Sequence, residues 1–124
     1  MIRRLALIVA LTLYASSATA QDKAQLEAQA LTHLTAARDS AQAALAAMKA
    51  NDYATGCPHL RNAGEELNKA RAVLARYKPA VAADPTLSQA ERDSQVAQIT
   101  QLEAVTTQQA QKTAEQLEKR CGND

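Results

Sequence analysis

Six residues of this 124-residue chain, three Gly and three Pro, are the strong helix breakers, and none of them falls between Asp22 and Ala50. Gly disrupts a helix through backbone entropy and Pro through its missing amide hydrogen, so their positions mark where helices can end. The uninterrupted stretch is built largely of Ala, Gln, Leu, Glu and Lys, all good helix formers. Leu26, Ala30, Leu34, Ala37, Ala41, Leu45 and Met48 recur every three or four residues, which sets them on one stripe of a first helix over about 22–50.

Asn51-Asp52 ends that run, Asn suiting a left-handed closing position and Asp an N-cap. The second helix starts either after Asp52, with Pro58 near its beginning, or at Cys57, with Pro58 in the first helical position, where a missing amide hydrogen does no harm. The later start is preferred, and Leu60, Ala63, Leu67, Ala70, Leu74 and Tyr77 then form a heptad seam of the coiled-coil kind. Pro79 pushes Lys78 out of helical dihedrals and sets the end at 78. Pro79 to Leu87 is the linker, with Asp84-Pro85 as a turn and Val81 and Leu87 as its apolar anchors. Ser88 and Glu91 make a capping box, so a third helix is expected over about 88–120. Its stripe is Val96, Ile99, Leu102, Thr106, Ala110, Ala114 and Leu117, its opposite face is rich in Gln, and Gly122 stops it.

The first 20 residues carry a different message. Met1-Ile2-Arg3-Arg4 is cationic, Leu5 to Tyr14 is apolar apart from Thr12, and Ala18-Thr19-Ala20 offers small residues for cleavage, the layout of a secretory signal peptide. That apolar run is too short for a bilayer core, which needs about 20 residues. No Cys stands at the cleavage position to take a lipid. A periplasmic or secreted product of residues 21–124 is therefore expected, without a membrane span or a lipid anchor. In such a compartment the two cysteines, Cys57 and Cys121, should pair. They are 64 positions apart, so closing that loop contributes about 4 kcal/mol in the chain-entropy account. The expected fold is all-α: an elongated antiparallel three-helix bundle, up-down-up, with the disulfide joining the start of the second helix to the end of the third. With the second helix confined to 57–78, the first and third would pair along most of their length, with the second helix and the linker covering opposite ends of the third side; the less tidy alternative is a two-helix groove open at the far end.

Composition narrows the function. After residue 20 there are 12 Lys and Arg against 13 Asp and Glu, and Tyr53 and Tyr77 are the only aromatic residues. Neither base stacking nor electrostatic attraction to nucleic acid or anionic lipid has a source. Cys57, His59 and Cys121 could offer a soft metal two thiolates and an imidazole, but pairing of the sulfurs competes directly. His33 and Met48 are a possible haem pair by residue type, yet two ligands on one helix cannot face each other across a ring, and no C-x-x-C-H motif is present. Glu65 with Lys69 and Glu115 with Lys119 have the spacing of solvated surface pairs. Arg61, Lys69, Arg71, Arg76 and Lys78 make the second helix locally basic, which complements the helix C-terminus. Glycine-rich phosphate loops and the nucleophile and metalloprotease motifs are absent from the sequence. The expectation is a non-enzyme, without a catalytic, cofactor or metal site, that binds another exported or envelope protein or a second copy of itself.

One fragment points further. Leu87-Ser88-Gln89-Ala90-Glu91 resembles the L-T-x-x-Q motif of small periplasmic helical stress chaperones, with Ser for Thr and Glu for Gln. It covers five residues, and the resemblance implies a holdase acting on unfolding clients as an alternative function. Asn51-Asp52-Tyr53 and the helix after it resemble one unit of an antiparallel helix-hairpin repeat, and no second copy follows at a fixed period.

Overall fold

The computed structural model describes the backbone of residues 2–122 and the side chains of residues 22–122. The export-signal reading of residues 1–20 concerns side chains outside that range. Three helices follow one another: α1 (Ile2–Lys49), α2 (Tyr53–Ala82) and α3 (Gln89–Cys121), with no strand among the described residues. The turns between them reverse the chain twice and produce the expected antiparallel order. Cys57 and Cys121 are joined, their Cα atoms 5.9 Å apart, at the end where α1 finishes, α2 begins and α3 finishes.

The first turn follows the sequence signals closely. Asn51 takes a left-handed φ of 58°, and the Asp52 carboxylate accepts the Thr55 amide at 3.2 Å as the N-cap of α2. The helix thus starts at Tyr53 and not at the preferred Cys57. It also runs through Pro79 to Ala82 and does not end at Lys78. Both prolines sit on exposed positions, so the carbonyls they leave without an amide partner can be satisfied by water. With 30 residues against the 33 of α3, α2 spans nearly the full bundle, and only residues 83–88 connect the two.

That length changes the packing order. α2 is the central helix and packs against both neighbours, while among the described residues no Cα of α1 comes within 8 Å of one in α3. The expected pairing of the first and third helices along their length does not occur, because α2 is long enough to lie between them throughout. Its heptad seam is as read: Leu60, Ala63, Leu67, Ala70 and Leu74 are buried and Tyr77 is half-buried.

The outer two helices use faces slightly rotated from those expected. On α1 the buried positions are Leu26, Ala30, Ala37, Ala44 and Met48, with His33 and Ser40 half-buried among them, whereas Ala41 and Leu45 are exposed. The close approach of α1 to α2 favours small residues here. A Cβ added at Gly56 would lie 3.0 Å from Met48 Cγ and 3.3 Å from the Ala44 carbonyl oxygen. On α3, Ile99 and Thr106 are buried, but Leu102 and Ala114 are exposed and Glu103 and Thr113 take the seam positions beside them. Glu103 Oε1 accepts from Lys78 Nζ at 3.1 Å, and Thr113 returns its hydroxyl to the Gln109 carbonyl at 2.8 Å. Polar groups can therefore line this seam with their bonds made.

Two apolar clusters result, one at each end. Leu26, Ala30, Val73, Leu74, Val81 and Ile99 form the larger, with Tyr77, Leu87 and Val96 against it. Ala44, Met48, Cys57 and Leu60, with Leu117 and Cys121, form the smaller, at the disulfide end. Val81 and Leu87 do serve as the anchors of the second turn. Full burial of a side chain such as Leu74 or Val81 contributes about 2 kcal/mol.

Candidate functional site

Most of the polar groups singled out in the sequence are absorbed by the fold. The sulfurs of Cys57 and Cys121 are spent on each other, so His59, half-buried nearby, has no thiolates to join in the oxidised protein. Among the described residues no group of three or more His, Cys, Asp or Glu side chains is placed to hold a metal ion. His33 lies in the α1–α2 seam, where its Nδ1–H donates to Glu66 Oε2 at 2.6 Å, and Met48 belongs to the disulfide-end cluster. That hydrogen bond, helped by Lys69 against the cost of burial, holds the Glu66 carboxyl below the usual range. The basic side chains of α2 are largely engaged: Lys69 with Glu66 rather than Glu65, Lys78 with Glu103, and Arg71 with Asn68.

The second turn is a polar lock that the sequence only hinted at. Asp84 Oδ1 accepts from Thr86 N at 2.9 Å and Thr86 Oγ1 at 2.7 Å, and its other oxygen pairs with Lys23 from the distant α1. The Lys23 ammonium, with the Thr86 donors, pulls the Asp84 carboxyl down to about 2. Arg92, from the first turn of α3, donates to the carbonyls of Asp84 and Leu87 at 2.9 and 3.1 Å. The capping box is formed, Ser88 Oγ accepting the Glu91 amide at 3.1 Å. These groups are fully partnered and serve the fold.

What remains open between the outer helices is in large part apolar. Because α1 and α3 flank α2 without touching along their backbones, a groove runs between them with α2 as its floor. Toward the polar lock it widens into a hollow of about 450 Å³, floored by Leu74 and Tyr77 and walled by Leu31 and Leu34 on one side and by Ile99 and Leu102 on the other. A second hollow, of about 310 Å³, continues past Leu34 to Ala37 and Ala41, with Leu67 beneath and Gln109 and Thr113 opposite. Leu31 and Leu102 are 58% and 37% exposed, values that mark them as groove lips and not as core. Leu45 and Val105 are exposed as well and continue the same two stripes by helical spacing. Of the residues that fell out of the expected core, Ala41, Leu45 and Leu102 thus belong to this face or its extension, and Ala114 lines neither hollow. The signal that could have found it is the width of the α1 stripe, which serves two neighbours at once.

Compared with protein-family models, with curated proteins and with solved structures, the chain matches none of them. Among the described residues no helix is long and apolar enough to cross a membrane.

Proposed function

We propose that the protein is a non-catalytic binding module of the periplasm or the secreted fraction, and that its groove between α1 and α3 receives a segment of another exported or envelope protein. The observation that carries this reading is the pair of adjoining hollows between α1 and α3, with exposed Leu31 and Leu102 on the lips. Exposed contiguous apolar surface on a small protein is the usual mark of an interaction site. The disulfide and the export-like start of the sequence support the compartment.

The test is site-specific photo-cross-linking in an envelope fraction, with the reactive group placed at Leu31 and, separately, at Ala72, which is exposed on α2 and lines neither hollow. Discrete protein adducts from Leu31 and none from Ala72 are expected. Equal adduct patterns from both positions would overturn the reading. The same exposed leucines favour a second function, shielding of unfolding clients. A protein that suppresses aggregation of an unrelated client at equimolar ratio, and loses that effect on Leu31→Ser, would favour the holdase.

A further inference from the structure

The charges around the groove select among possible occupants. In the hollow next to the polar lock Lys23 is engaged by Asp84, so Glu27 is the charge left on that lining. In the second hollow Arg38 on the α1 side and Lys112 on the α3 side are both exposed, and no carboxylate lines it. Neither cation has an ion-pair or hydrogen-bond partner among the described residues. Two cations without a partner thus line a hollow whose apolar residues are Leu34, Ala37 and Ala41 on the α1 wall and Leu67 beneath.

We infer that the groove accepts an amphipathic helix of a partner protein, its apolar stripe seated on Leu31, Leu34 and Leu102 and its acidic residues paired with Arg38 and Lys112. The inference rests on the protein-binding reading above and adds the chemistry of the partner. From Lys23 to Ala41 the groove covers about 27 Å at about 1.5 Å per residue, which matches a helix of about five turns. Helix-in-groove recognition uses anchors at i, i+3, i+4 and i+7, and the two successive hollows offer such a row. Ala41, exposed on the α1 wall, leaves room for a helix backbone to approach.

Two synthetic peptides with identical Leu positions at helical spacing, one carrying Glu and the other Lys on the flanking positions, are titrated calorimetrically into the whole oxidised protein. The Glu peptide is expected to bind about tenfold more tightly, to gain helical circular dichroism on binding, and to lose its advantage as salt is raised. Arg38→Glu combined with Lys112→Glu should invert the preference, and both positions are exposed enough for the fold to survive, as a thermal melt would verify. Leu31→Ser combined with Leu102→Ser should weaken both peptides. If the two peptides bind alike and both respond to the leucine changes, the groove reading stands and the charge inference fails. If neither peptide binds, both fail. Sedimentation of the protein alone as a dimer that the Glu peptide does not dissociate would give the groove to a second copy and overturn the inference.

Discussion

The two ends of the bundle are held by different means. At the end where Cys57 meets Cys121 the apolar cluster is small, Ala44, Met48, Cys57 and Leu60 with two half-buried partners, and a covalent bond secures it. At the other end Leu26, Val73, Leu74, Val81 and Ile99 make a fuller core, finished by the Lys23, Asp84, Thr86 and Arg92 lock. Between them the seams carry Ala37, Ala63, Ala70 and Thr106, with polar partners such as His33 and Glu66. A narrow Ala-rich bundle buries little area per residue, so each end needs a device beyond packing, and the thinner core has the stronger one.

The largest expected effect comes from removing the covalent device. Cys57→Ser together with Cys121→Ser should lower unfolding stability by about 4 kcal/mol, read from the urea midpoint. Amide exchange should rise first around Met48 and Leu117 while Leu74 and Val81 stay protected. Equal loss of protection at both ends would show that the two clusters unfold as one unit and would break the comparison. A middle-sized effect tests the close approach beside the bridge. Gly56→Ala must push Met48 and the α1 backbone aside and should cost about 2 kcal/mol. Gly64→Ala, where the added carbon meets only Thr113 Cγ2 at an ordinary 3.5 Å, should instead gain about 0.5 kcal/mol from helix propensity, and paired thermal melts decide both signs.

The smallest effect belongs to the polar lock and is confined to acid. Asp84 titrates at about 2 in the folded protein, well below its unfolded value near 4, so its contribution is complete above pH 4. It is lost as the pH falls from about 4 toward 2, when the unfolded chain binds the proton and the folded one does not. Glu66, lowered by His33, adds to the same slope. Asp84→Asn should flatten the fall of melting temperature across that window, and an unchanged slope would remove Asp84 as its source.

Helix number, direction and the disulfide were legible in the sequence, because Asn51, Asp52, Ser88, Glu91 and Gly122 act locally and their chemistry is visible in a few neighbouring residues. The extent of α2 was not. Pro58 and Pro79 read as boundaries when only local rules are applied, and both are tolerated because they fall on a solvent-facing side that tertiary packing selects. From that misplaced extent followed the expected pairing of the first and third helices, whereas α2 lies between them; the groove expected at the far end has its wider hollow there and continues past Leu34 to Ala41. The Lys23 to Asp84 pair joins residues 61 positions apart and leaves no periodic trace to read.

The position of the sulfur link has a mechanical consequence. It closes a ring from Cys57 to Cys121 that contains nearly all of α2 and α3, and it leaves α1 outside. Tension applied to either side of the ring would pass through the sulfurs and bypass residues 58–120, so only α1, its turn and the first residues of α2 could lengthen. Stretched in this way, the molecule would yield its first helix and keep the other two slack within a loop that bears no load.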